Sequence, residues 1–140
     1  MPLPLELLLR ALAARRAGRP DPDAERRLEA AYGCSHRLAV YGTLAPGEPN
    51  AHELADCRGT WTPGHVTGWR AQRDFPVFTF DPAAPPVPVH VFDSADLPLH
   101  WGRLDAFEGD TYRRILVPVT FFAGRTTVAN LYEAVAPVAP

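Results

Sequence analysis

Apolar residues recur at helical spacing near the N-terminus of this chain. The apolar positions of this first pattern are Leu5, Leu8, Leu9 and Leu12. They predict a helix that ends at Gly18-Arg19-Pro20, and a second helix that is capped by Asp21 or Asp23 and runs to Gly33. We interpret residues 1–36 as a helical N-terminal extension whose role is packing or dimerisation, so the sequence allows a homodimer.

The rest of the chain consists mainly of short apolar runs between turn residues, which is typical of β-strands. We predict strands at residues 38–41, 61–70, 75–80, 87–92, 114–122 and 126–132. Pro63-Gly64 is expected to break the second strand. Pro76 restricts the third strand to a sheet edge or a strand start, and Pro88 favours an edge position for the fourth. The last two strands are predicted to form a hairpin.

One helix interrupts these strands. It is predicted to begin at Ser94-Ala95-Asp96-Leu97 and to stop at Gly109. Many strands, few helices and no regular alternation of strand and helix favour an α+β domain around an antiparallel or mixed sheet, which can curl into a barrel. We expect residues 37–133 to form this domain and residues 134–140 to form a loose tail.

Charge and composition argue against several classes of function. The 140 residues carry a net charge of −2 with no lysine and no basic cluster, so we expect no nucleic-acid partner. Cys34 and Cys57 lack short-spaced partners and the five histidines show no ligand spacing, so we assign no metal site. The apolar run at residues 3–12 is too short to span a bilayer, and we expect a cytoplasmic protein without a membrane partner.

Glu108 is the first candidate for chemistry. It lies beside a glycine at the expected end of a helix, together with Asp105 and Asp110. Negative charge is unfavourable there because the helix dipole is already negative at its C-terminus. The dipole and partial burial would raise the proton affinity of Glu108, which suits a general base. The alternative interpretation is an ordinary acidic helix end.

The turn Tyr41-Gly42-Thr43-Leu44 is the second candidate. Gly42 would let the backbone approach a ligand closely or adopt a positive φ, and the amides that follow could form an anion-binding nest. The alternative is an ordinary turn from strand to loop. Tyr112 can place its hydroxyl at the same site, or it can be a half-buried aromatic residue of a strand.

Together the two segments resemble the gamma-glutamyl cyclotransferase-like family, in particular its gamma-glutamylamine cyclotransferase branch. The first family motif, Y-G-T-L-x-x-G-x-x-N, is matched by Tyr41, Gly42, Thr43, Leu44, Gly47 and Asn50. The second, L-D-x-x-E-G followed by Tyr-x-Arg, is matched by Leu104, Asp105, Glu108, Gly109, Tyr112 and Arg114. Phe75-Pro76 is similar to the aromatic-proline pair of the family.

The resemblance implies a small mixed or antiparallel barrel with flanking helices and a pocket between the glycine loop and the glutamate. It implies that Glu108 is the catalytic acid and base. The residues that would bind a small gamma-glutamyl substrate are Tyr41, Gly42, Thr43, Leu44 and Tyr112. The implied reaction is an intramolecular aminolysis that gives 5-oxoproline and requires no metal or organic cofactor.

The sequence departs from the family pattern at Val89, which stands where the family usually has glycine. A side chain at a position where the backbone normally passes close to other groups could reshape or narrow the pocket. The departure, together with the helical extension, motivates an alternative function. In that alternative the domain binds a small molecule or a partner through the pocket without catalysing a reaction.

Overall fold

A computed structural model describes residues 3–139, and its centre is a closed barrel of five strands. The strands are β1 (Arg37–Val40), β2 (Thr60–Gln72), β3 (Pro76–Phe80), β4 (Pro86–Asp93), β5 (Tyr112–Phe121) and β6 (Thr126–Ala134). The barrel order is β2-β4-β1-β6-β5, and a pairing between β5 and β2 closes it, while β3 extends the sheet beyond β2. The β1–β6 pair is parallel and the other pairs are antiparallel, so the predicted α+β fold with a mixed barrel is confirmed.

The strand side chains alternate between the barrel interior and its outer surface, as the two-residue period of a strand requires. In β5, Ile115, Val117 and Val119 lie in the interior cluster, whereas Leu116 packs outward beneath the N-terminal helices. Val66, Phe78, Val91 and Leu131 fill the interior from the other strands. The predicted hairpin of β5 and β6 is present, with Tyr112 opposite Ala134 and Thr120 opposite Thr126.

The predicted N-terminal helices are α1 (Leu5–Arg16) and α2 (Pro22–Tyr32). Asp21 caps α2 by accepting a hydrogen bond from the amide of Ala24, at 3.0 Å. The two helices bury their apolar faces against β5 and β6, and Leu12 reaches the barrel interior. Within residues 3–139, no helix is long and apolar enough to cross a membrane.

The third helix is shorter than the sequence predicted. A 3₁₀ turn at Leu97–Leu99 precedes it, and α3 spans Trp101–Glu108. The prediction that Ser94 opens a continuous helix is therefore wrong at its start. Instead, the Ser94 hydroxyl accepts a hydrogen bond from the amide of Asp96 at 3.1 Å, so the serine stabilises a separate turn. The predicted stop at Gly109 is correct.

Two proline-based predictions are also wrong. Strand β2 continues through Pro63-Gly64, and Gly64 pairs with Phe121 where β5 closes the barrel. A Cβ at Gly64 would lie 3.1 Å from the carbonyl oxygen of Thr120, so the glycine permits this close approach. Strand β4 is not at the edge, but β1 pairs only as far as His90, so Pro88 lies where β1 no longer pairs with β4. For β3, the predicted edge position is correct.

The predicted loose tail is held against the barrel over its described part. The amide of Val138 donates to the Thr79 hydroxyl at 2.8 Å, and Val138 packs with Val77. The Arg73 guanidinium donates to the carbonyl oxygens of Ala136 and Pro137, both at 3.0 Å. Strand β6 ends at Ala134, and these contacts join the tail that follows it to β3 and to the turn between β2 and β3.

Candidate active site

One pocket brings together all six residues that the sequence analysis assigned to the site. It encloses about 360 Å³ of empty space, including open solvent at its mouth. The residues that border it are Leu38, Ala39, Val40, Tyr41, Gly42, Thr43, Leu44, Pro76, Glu108, Tyr112 and Tyr132. The end of β1 and the loop after it form one wall, and the last residue of α3 faces them. Segments more than sixty residues apart in the chain thus share one cavity.

Glu108 is the acidic residue of this pocket. As the last residue of α3, it is placed where Gly109 redirects the chain, with φ 76° and ψ −171°. Burial raises the pKa of Glu108 from its ordinary value of 4.5 to about 7. Among residues 3–139, no side chain forms a salt bridge or hydrogen bond with its carboxylate. A half-buried carboxyl group with a pKa near neutrality can both accept and donate a proton.

Three residues of the loop after β1 border the same pocket, namely Gly42, Thr43 and Leu44. Within the described part of the chain, none of their backbone amides donates a hydrogen bond to a backbone or side-chain acceptor. Asn50 fixes the loop, because its amide donates to the Thr43 carbonyl oxygen at 2.9 Å and its Nδ2 donates to Thr43 Oγ1 at 3.0 Å. Consecutive unpaired amides on a fixed loop can bind an anion or stabilise an oxyanion.

Tyr41 and Tyr112 line the pocket, and their hydroxyl groups already form hydrogen bonds within the protein. The Tyr41 hydroxyl donates to the carbonyl oxygen of Tyr132, and the Tyr112 hydroxyl donates to that of Pro76, both at 2.7 Å. Burial raises the pKa of both phenols. The Tyr41 ring also packs on Phe78, with ring centroids 5.3 Å apart. Both tyrosines therefore shape the cavity, and their hydroxyls are neutral donors to the backbone.

Gly42 does not adopt the positive φ that we considered for it. A Cβ there would lie 3.4 Å from Cβ of Pro76, so the glycine leaves room between the loop and the start of β3. The other expectation, a close approach of the backbone to a ligand, agrees with the position of Gly42 at the pocket. The positive φ in this loop belongs to Gly47, at 81°.

Comparison with protein families matches residues 38–138 to the family described as gamma-glutamyl cyclotransferase, AIG2-like. The chain belongs to this family. The match covers the barrel, α3 and the tail, whereas α1 and α2 lie outside it. A comparison with curated proteins gave no match.

Solved structures share the fold of this gamma-glutamyl cyclotransferase-like domain. YkqA from Bacillus subtilis is 26% identical, with a TM-score of 0.59 over 71% of this chain, which spans only 35% of YkqA. An AIG2-like protein from Mus musculus is 22% identical, with a TM-score of 0.58, and the match covers 75% of this chain and 80% of that one. An uncharacterised protein from Pyrococcus horikoshii is also 22% identical, with a TM-score of 0.53 over 74% of this chain and 81% of that one.

Val89, the departure from the usual family pattern, lies inside the barrel. It is buried in the interior cluster, pairs with Gly64 across β2 and β4, and is not among the residues that border the pocket. In the pair of β2 and β4, the glycine at this position is therefore Gly64 on β2, and its lack of a side chain lets β5 approach β2. Because the side chain of Val89 packs in the barrel interior, its contacts do not support the expectation that it narrows the pocket.

Two residues beyond the predicted site, Tyr132 and Pro76, also border the pocket. The sequence predicts Tyr132 only as a residue at the end of a strand. Its hydroxyl donates to Asp105 Oδ1 at 2.7 Å, and Asp105 also accepts from Arg114 Nε at 2.9 Å. The family motif contains Asp105 and Arg114, but their shared partner on β6 depends on strand register. No short segment of the sequence signals this contact, because only the strand register places Tyr132 opposite Arg114.

Gly109 permits a prediction about the turn that holds Glu108. Its φ of 76° is strained for any residue with a Cβ, although within residues 3–139 only the glycine itself and its two chain neighbours have atoms within 4 Å of the position that a Cβ would occupy. We expect Gly109→Ala to lower the free energy of unfolding by about 1–3 kcal/mol, measured by chemical denaturation. Gly102→Ala is the matched control, because it has equal space and no positive φ. Equal stability of the two variants would contradict this account.

Proposed function

We propose that this protein is a gamma-glutamyl cyclotransferase that converts a gamma-glutamyl amine or peptide to 5-oxoproline and a free amine. The observation that carries the proposal is the pocket that Glu108 shares with Gly42, Thr43 and Leu44, whose backbone amides have no acceptor within residues 3–139. The family supports a cyclotransferase-type domain. The placement of a proton acceptor opposite a set of donors supports this particular reaction.

The reaction would begin with the α-ammonium group of the substrate, which loses a proton to the carboxylate of Glu108. The freed amine attacks the γ-carbonyl carbon of the same molecule, and the negative charge moves to the carbonyl oxygen. The C–N bond to the leaving amine then breaks as Glu108 returns its proton to the leaving nitrogen. The attacking nitrogen, which carries a positive charge and two hydrogens after the attack, loses one proton to solvent, and the neutral lactam of 5-oxoproline results. Because nucleophile and electrophile belong to one molecule, the scheme uses no metal or organic cofactor.

Two physical effects would supply most of the rate acceleration. Holding the substrate in its attack geometry can lower the barrier by about 7–11 kcal/mol for well-oriented intramolecular reactions. The amides of Gly42, Thr43 and Leu44 would stabilise the oxyanion, and one such donor typically contributes about 3 kcal/mol. The bonded hydroxyls of Tyr41 and Tyr112 keep the walls rigid, so the pocket needs little reorganisation.

The test is a panel of gamma-glutamyl amines and dipeptides, with 5-oxoproline measured by mass spectrometry. We expect product from at least one member of the panel. The same compounds acetylated on the α-nitrogen are the controls and should give none, because their nitrogen cannot attack. Compounds that raise the melting temperature, with no product from any member of the panel, would contradict the proposal and favour the non-catalytic binding domain.

A further inference from the structure

The N-terminal helices contact the barrel through a chain of polar side chains that ends in the pocket wall. The chain begins at Arg15, in the last turn of α1. Its Nε and Nη2 donate to the carboxylate of Glu25 on α2, at 2.8 and 2.7 Å. Its Nη1 donates to Oδ1 of Asn130 on β6 at 2.9 Å. Glu25 thus holds the guanidinium in the orientation that reaches the barrel.

Asn130 is the link between the extension and the barrel. It is 1% exposed, and its Oδ1 accepts from both Arg15 Nη1 and Arg114 Nη1 at 2.9 Å. Its Nδ2 donates to the carbonyl oxygen of Cys34 at 2.8 Å, which fixes the orientation of the amide. Two guanidinium groups therefore converge on one oxygen, and their like charges are compensated by the carboxylates of Glu25 and Asp105.

Arg114 carries the chain to the pocket. Its guanidinium lies 4.3 Å from the centroid of the Trp101 ring, and its Nε and Nη2 donate to Asp105 at 2.9 and 3.3 Å. Asp105 Oδ1 accepts from the hydroxyl of Tyr132 at 2.7 Å. Tyr132 borders the pocket, and Glu108 follows Asp105 by one helical turn on α3. Each link has a defined donor and acceptor.

We propose that Arg15 is a positioning residue of the active site, so that the helical extension is part of the catalytic unit. The expected effect of Arg15 on turnover rests on the proposed function. Its expected effect on the position of Tyr132 rests on the hydrogen bonds alone. Without Arg15, Oδ1 of Asn130 keeps a single donor, and the carbonyl oxygen of Arg114 loses the hydrogen bond that it accepts from Arg15 Nη1. Asp105 and Tyr132 are then held less firmly at the pocket wall.

The test compares Arg15→Met with Arg10→Met as a matched control. Arg10 also joins α1 to the start of α2, by ion pairs with Asp21 and Asp23, but these contacts are exposed and do not reach the barrel. We expect Arg15→Met to lower kcat on the order of tenfold with a smaller change in KM, because small displacements of positioning groups reduce rates strongly. Arg10→Met should leave both constants unchanged.

A second readout does not depend on turnover. The chain has four tyrosines, so the ring resonances of Tyr132 can be assigned by their loss in Tyr132→Phe. These resonances should shift in Arg15→Met and stay in place in Arg10→Met. If wild-type protein forms no 5-oxoproline, the proposed function fails while this arm still tests the network. Unshifted Tyr132 resonances in Arg15→Met would overturn the positioning role.

A double variant measures whether Arg15 and Tyr132 are energetically coupled. In the Tyr132→Phe background the last link is already broken, so Arg15→Met should add less to the loss of kcat than it does alone. Additive losses would contradict the network.

If Arg15→Met does not fold, Arg15→Lys keeps the charge beside Glu25 but cannot reproduce the forked donor geometry. It should shift the Tyr132 resonances in the same direction by a smaller amount, and no shift would overturn the proposal.

Discussion

Glu108→Gln is expected to lower the turnover number for 5-oxoproline formation by about 10²–10⁴-fold, the usual contribution of general acid–base catalysis. Glutamine has the same shape but cannot accept the proton of the α-ammonium group. KM should change less than kcat, because the pocket keeps its walls. The base must be ionised, so wild-type kcat/KM should rise with pH and level off above the pKa of Glu108, about 7. Steady-state kinetics across pH provide the measurement.

Asp110→Asn is the control for this substitution. Asp110 is an exposed carboxylate two residues from Glu108 and does not border the pocket. Its replacement removes one negative charge from the same helix end, so it separates the loss of the base from a general change in local charge. We expect near wild-type turnover. Equal losses in both variants, or full activity of Glu108→Gln, would mean that Glu108 is not the base.

The two halves of the candidate site were predictable because each has a local signature. Glu108 lies beside a glycine at a helix end, where negative charge is unfavourable without another reason for it. Gly42 begins a loop of amides after a strand. Both features can be recognised in short segments, and the pairing of the segments in the family motifs indicated a common pocket. The parts that depend on strand register, such as the contact of Tyr132 with Asp105, could not be predicted from these segments.

The two proline-based errors in the strand prediction have a common cause. The local preferences of Pro63, Gly64 and Pro88 predict strand breaks or edges. In the barrel, Gly64 lies where β5 crosses close to β2, and Pro88 lies beyond the end of β1. Whether a strand residue has a neighbour on a given side depends on the length and register of other strands. Local preference therefore located the special residues correctly but misjudged what they do in the sheet.

The raised pKa of Glu108 also predicts how the same substitution changes stability with pH. Between its ordinary value of 4.5 and its folded value of about 7, the folded state holds more protons at Glu108 than the unfolded state. The contribution of Glu108 to the free energy of unfolding therefore falls as pH rises through that window. At pH values above the window, the full free-energy cost of the buried charge is present. Below the window the carboxyl group is protonated in both states, and burial of the neutral form carries no such cost.

Glu108→Gln removes this cost because the amide stays neutral at every pH. The variant should match the wild type at about pH 4 and exceed its free energy of unfolding by up to about 3 kcal/mol at about pH 9, the equivalent of the pKa shift. Water reaches the half-buried carboxyl group in part, so this value is an upper bound. Urea denaturation at several pH values measures the difference, with Asp110→Asn as the exposed control that should show no such trend. A gain in the free energy of unfolding that is independent of pH would show that burial of the charge does not set the pKa of Glu108. The expected pH-dependent gain would mean that the protein retains a destabilising charge at its pocket.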